Sequence, residues 1–140
     1  MSDAQLQAIL LVEDHKDSRE MIKFLLENLN YRVLETGNGQ HALDLAAREE
    51  PDLIMTDFNL PDIDGTMLVR RMRQLNEKMS RIPIIMLTAN DQHELSKLAI
   101  AAGCSAFFTK PIDFAILEKA IVTLLAKSRE TNGPVNNISH

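Results

Sequence analysis

The chain has 140 residues, 45% of them hydrophobic and 25% charged, with 15 basic against 20 acidic side chains and a net charge of −5. That length suits one domain, in which folding buries roughly 68% of the surface the unfolded chain exposes, enough for a core without disulfides or a structural metal. The negative charge disfavours direct nucleic-acid binding, the 4% aromatic content offers no stacking platform, the lone Cys104 excludes an internal disulfide, and no apolar run approaches the ~20 residues of a membrane helix. A cytoplasmic protein without membrane contact is the expectation.

Residues 1–7 read as an N-terminal extension with no basic region before an apolar stretch. The first strand, Ala8 to Val12, is apolar throughout and therefore covered on both faces. A helix over Asp17 to Leu29 places Met21, Ile22, Leu25, Leu26 and Leu29 on one side. The second strand, Arg32 to Thr36, is polar enough for a sheet edge. Asn38-Gly39 precedes the second helix and Pro51 ends it. A third strand, Asp52 to Asp57, leads to a third helix opened by Asp64-Gly65. That helix carries Arg70, Arg71 and Arg73, whose default reading is a solvated face. Met67, Met72, Met79 and Met86 read as packing. The fourth strand, Ile82 to Thr88, is again apolar, and Gly103 closes the helix after it. The fifth strand, Ser105 to Thr109, precedes a helix that Asp113 caps and that buries Phe114, Leu117, Ile121, Leu124 and Leu125. Residues 8–127 thus form the domain, and 128–140 a polar, mobile tail. The strand–helix alternation predicts an α/β fold, one doubly wound five-stranded parallel sheet in the order 2-1-3-4-5 with five flanking helices.

Polar groups gather at the carboxyl ends of the strands, where open α/β sheets bind ligands: Glu13-Asp14, Asp57, Thr88 and Lys110. With the first and third strands adjacent, roughly 4.8 Å apart, Glu13, Asp14 and Asp57 share one crevice and call for a cation. Oxygen donors favour Mg²⁺ over zinc or copper. A carboxylate nucleophile, Mg²⁺, the Lys110 ammonium and the Thr88 hydroxyl are the parts of a phosphoryl-transfer site. Singly, Asp57 reads as a turn cap, Thr88 as a strand end and Lys110 as a solvated charge. Placing all of them on one sheet edge by accident is what that reading cannot easily do.

The stretch Leu10-Leu11-Val12-Glu13-Asp14, the loop Asp57-Phe58-Asn59-Leu60-Pro61-Asp62-Ile63-Asp64-Gly65, the pair Thr88-Ala89 and the run Phe107-Phe108-Thr109-Lys110-Pro111 together resemble the receiver domain of two-component response regulators, from about Ile9 to Lys127. The resemblance implies a CheY-like fold. It makes Asp57 the aspartate phosphorylated by a histidine kinase or phosphotransfer protein, and assigns Mg²⁺ to Glu13, Asp14, Asp57 and the Asn59 carbonyl. It also has Lys110 contact the phosphoryl group and form a cis peptide with Pro111. Thr88 and Phe107 become the switch pair, and the fourth helix, fifth strand and fifth helix the face that meets a downstream effector protein. Phosphorylation-dependent dimerisation through that face is compatible with this reading. Phe107 stands where tyrosine is common, so packing without a hydroxyl reports the switched state; an ordinary core phenylalanine is the equal alternative. The resemblance also puts Asn59 and Asn90 at positions beside the path of the hydrolytic water, and two amides there imply slow but measurable loss of phosphate.

Three other readings fit the residues less well. A Mg²⁺-dependent phosphatase with an aspartyl-phosphate intermediate needs an acid–base carboxylate two residues after the nucleophile, where Asn59 stands. A flavin carrier lacks its Ser/Thr/Gly-rich phosphate cradle, and a degenerate receiver lacks any missing site position. His15 follows Asp14 near the crevice but reads first as a surface loop, and His41, His93 and His140 have no partners at metal-ligand spacing. Residues 128–140 cannot hold an output domain, so the chain is expected to be a stand-alone receiver or one excised from a larger regulator.

Overall fold

The computed structural model describes residues 6–89 and 93–131. Strands and helices alternate as β1 (Ala8–Val12), α1 (Lys16–Asn28), β2 (Arg32–Thr36), α2 (Gly39–Glu49), β3 (Leu53–Asp57), α3 (Gly65–Arg73), β4 (Ile84–Thr88), α4 (His93–Ala102), β5 (Ala106–Thr109) and α5 (Phe114–Thr131). The strands make one parallel sheet in the order β2-β1-β3-β4-β5, the doubly wound arrangement expected. All five residues of β1, of β3 and of β4 are buried, whereas β2 at the edge is half-exposed.

Alternate side chains of a strand point to opposite faces, so each apolar run feeds two cores. Leu10, Val12, Ile54, Ile84 and Met86 pack with Ala42, Leu68, Met72 and Ala99 from α2, α3 and α4. Ile9, Leu11, Leu53, Met55, Ile85 and Leu87 pack with Ile22 and Leu26 of α1 and Leu117, Ile121 and Leu125 of α5. Each fully buried Leu, Ile or Met contributes about 1.5–3 kcal/mol relative to exposure.

The helix ends follow from the capping residues. The Asn38 side chain accepts from His41 N–H at 2.8 Å, Asp64 from Met67 N–H at 3.0 Å, and Asp113 from the N–H groups of Ala115 and Ile116 at 3.0 and 3.2 Å. Gly103 ends α4 at φ +118°, a conformation that L side chains rarely adopt.

Several expectations need correction. Met21 is 54% exposed and lies outside the core stripe assigned to it, and Met67, expected to pack, is 42% exposed. β3, β4 and β5 begin one or two residues later than expected, because the preceding residues bond differently: the Asp52 carboxylate accepts from Ala8 N–H at 2.8 Å, Pro83 has no N–H to give the ladder, and the Ser105 hydroxyl accepts from Ile84 N–H at 3.1 Å. α5 continues to Thr131, four residues into the expected tail; the rest of that tail, with His140, lies outside the described residues. Arg73 is half-buried rather than solvated. Its guanidinium donates to the carbonyls of Gly103, Met79 and Ile82 at 2.6 to 3.1 Å and ties the end of α3 to the end of α4.

Candidate functional site

The carboxyl ends of β1, β3 and β5 bring together the residues that the sequence placed there. Glu13 follows β1 and Asp57 ends β3; they are only 1% and 5% exposed. Lys110, directly after β5, donates to Glu13 Oε1 at 2.8 Å and to Asp57 Oδ2 at 3.2 Å. One ammonium thus bridges two buried carboxylates that would otherwise repel each other. The Lys110–Pro111 peptide is cis, and Lys110 N–H donates to the Thr88 carbonyl at 2.7 Å. Thr88, at the end of β4, is fully buried.

The loop after Asp57 is held from several sides. Asn59 N–H donates to Asp57 Oδ1 at 3.4 Å, Asn59 pairs with Asp64 in an antiparallel bridge, and Gly65 N–H donates to the Phe58 carbonyl at 2.7 Å. A Cβ at Gly65 would come within 2.8 Å of Phe58 Cα and 2.9 Å of the Asp57 carbonyl, so only glycine lets α3 start this close beneath the site. The Asp62 carboxylate reaches across to α2, accepting from the N–H groups of Gly39 and Gln40 at 2.9 Å each.

The electrostatics of the crevice pull in two directions. Burial and the Glu13 charge push the Asp57 carboxyl above its ordinary pKa, and Lys110 only partly offsets them. Burial acts on Glu13 as well, yet the hydrogen bonds from Lys110 and from His15 N–H outweigh it and hold Glu13 low. Lys110 sits above its ordinary value: burial favours its neutral form, but the two carboxylates outweigh that. Glu13 and Lys110 are therefore ionised at neutral pH, and Asp57 is the carboxylate whose charge is least compensated.

Among the described residues, the side chains whose ligand atoms converge within 4.8 Å of one another are Glu13, His15 and Asp57. Two hard carboxylates with an uncompensated negative charge fit a divalent cation. Asp14, next in the same loop, is exposed and lies outside that convergent group. His15, read from the sequence first as a surface loop beside the crevice, is exposed, and its ring brings a nitrogen close to the two carboxylates. Phe107 is half-buried against the α2–α3–α4 core, and Asn59 is exposed at the mouth. Asn90 falls outside the described residues. Cys104 is a core thiol that burial pushes up to about 11.

A buried aspartate at the end of β3, bridged to an acidic residue after β1 by a lysine after β5 on a 2-1-3-4-5 sheet, marks a CheY-like α/β domain. Residues 9–122 match the response regulator receiver domain family, and the chain belongs to it. It is 31% identical over 106 residues to the polar-differentiation response regulator DivK of Brucella anthropi, covering 76% of this chain and 85% of that protein. It is 30% identical over 140 residues to histidine kinase P4 of Formosa agariphila, where it spans all of this chain but 10% of the kinase. In structure it is similar to the receiver domain of a sensor histidine kinase from Pseudomonas aeruginosa with magnesium ion coordinated in the active site cleft, at TM-score 0.80 and 34% identity, over 86% of this chain and 98% of that one. The protein is accordingly a receiver domain of two-component systems, a class of phosphoacceptor switches that pair with histidine kinases rather than enzymes that turn over a substrate. Among the described residues no helix is long and apolar enough to cross a membrane.

Proposed function

We propose that Asp57 accepts a phosphoryl group from a histidine kinase or phosphotransfer protein and that the fold transmits this charge change to an effector. The observation that carries the reading is the Lys110 ammonium held between Glu13 and Asp57 at 2.8 and 3.2 Å. Asp57 Oδ2 faces that cation while Oδ1 faces Asn59 N–H, so the carboxylate is oriented from both sides. Its low degree of charge compensation keeps it nucleophilic, and Lys110 stands ready to contact the transferred group. Glu13, Asp14, Asp57 and the Asn59 carbonyl are the groups to which we assign Mg²⁺, which when bound spreads the charge of the phosphoryl oxygens. Thr88 supplies a hydroxyl at the end of the neighbouring strand, and Phe107, in register with Met86 of β4, is the side chain whose packing follows it. The signalling face is α4-β5-α5, supported by Leu98, Ile116 and Val122, which are each more than half exposed. Asn59 and Asn90, neutral amides, leave the phosphoryl group slowly hydrolysed.

Fluorine-19 NMR of the protein with beryllofluoride tests the site. Bound resonances are expected only when Mg²⁺ is added, and none for Asp57→Asn; bound resonances that persist in that variant would place the acceptor elsewhere.

A further inference from the structure

We propose that His15 gives the cation site an imidazole nitrogen, so that the crevice takes late first-row divalent cations such as Ni²⁺ and Co²⁺ through His15 while binding Mg²⁺ without it. The inference rests on the reading of the Glu13–Asp57 crevice as a divalent cation site. Lys110 occupies Glu13 Oε1 and Asp57 Oδ2, which leaves Glu13 Oε2 and Asp57 Oδ1 as the carboxylate oxygens not facing the ammonium. His15 belongs to the first of these: its backbone N–H donates to Glu13 Oε2 at 3.1 Å and its Nδ1 lies 3.5 Å from the same atom. A ligand atom of His15 is within 4.8 Å of those of both Glu13 and Asp57, a separation that small side-chain rotations close onto one ion. The ring is 76% exposed, so turning it costs little packing.

The chemistry then separates metals. Mg²⁺ demands oxygen donors, keeps its waters and gains nothing from an imidazole, whereas Ni²⁺ and Co²⁺ bind nitrogen donors strongly and follow the rising order of first-row affinities. An all-oxygen crevice would show that order too, but it would not depend on His15. The same geometry also admits a plain alternative, in which the ring only covers Glu13 as an ion-pairing flap. That alternative predicts the same dependence on His15 for every cation.

Calorimetric titration with the metal alone separates them, using the full chain, its His15→Gln variant and its Asp57→Asn variant. His15→Gln is expected to weaken Ni²⁺ by about tenfold or more, the scale on which ligand-sphere changes act, and Mg²⁺ by less than about twofold. The visible spectrum of the Co²⁺-loaded protein should change in the same variant. Equal losses for Ni²⁺ and Mg²⁺, or none for either, would overturn the inference. Mg²⁺ binding that is unaffected by Asp57→Asn would instead overturn the cation reading of the crevice, a result seen in a different variant. The exposed position of His15 keeps the fold out of the comparison, and an unchanged melting temperature in metal-free buffer verifies this.

Discussion

At the residue scale, Asp57 is held in a state that opposes folding. Burial and the Glu13 charge raise its pKa, so the native state binds this proton more tightly than the unfolded chain does. The contribution of such a group is fully favourable below the unfolded carboxylate range and is lost as pH rises through the raised native value. At neutral pH the ionised Asp57 therefore costs stability. Asp57→Asn keeps the shape and removes that charge, and is expected to melt higher than the parent at pH 7, with the difference shrinking as pH falls into the carboxylate range. Thermal melts of both proteins from acid to neutral pH check this; a variant that melts lower than the parent at pH 7 would mean that the bond to Lys110 outweighs the repulsion. The identity of these residues was legible in the sequence, because Glu13, Asp57 and Lys110 each sit at a strand end where side-chain placement is fixed by the sheet. The directions of the Asp14 and His15 side chains were not, because both lie in the turn between β1 and α1, where backbone dihedrals rather than periodicity set them.

At the scale of elements, the loop after Asp57 is pinned to α2 by one side chain. Asp62 accepts from two N–H groups in the first turn of that helix, 22 and 23 residues away in sequence, and these bonds hold its carboxyl below the ordinary value although burial alone would raise it. Asp62→Ala is expected to lower stability by about 1 kcal/mol, the usual cost of losing a helix cap. A depressed carboxyl stabilises above its unfolded pKa and loses that effect as pH falls through the native one, so the gap between parent and variant should close in acid. Denaturant unfolding at pH 7 and at pH 3 measures both. The caps at Asn38, Asp64 and Asp113 were legible, since Asn and Asp before an apolar run announce a helix start. The Asp62 clamp was not, since it joins two elements distant in the chain, and the same is true of Arg73: three arginines at helical spacing look solvated until the ends of α3 and α4 meet.

At the scale of the whole molecule, the order of strands could be expected but not read. Apolar runs in β1 and β4 require cover on both faces, which makes a doubly wound sheet the economical solution, and the burial of all five residues in each meets that requirement. α5 outlasted its expected end because the chain beyond Leu125 has little apolar periodicity; Arg129 is within 3.4 Å of the Gln7 side chain, a contact no pattern within the helix announces. The sheet carries Glu13, Asp57, Thr88 and Lys110 to one edge, and the central claim is that this edge takes up a phosphoryl group on Asp57. Intact mass after incubation with acetyl phosphate tests it most directly, with and without Mg²⁺, for the parent and for Asp57→Asn. One added phosphoryl group that requires both Mg²⁺ and Asp57 is the predicted result; addition that survives Asp57→Asn, or no addition to the folded parent under any of these conditions, would contradict the assignment.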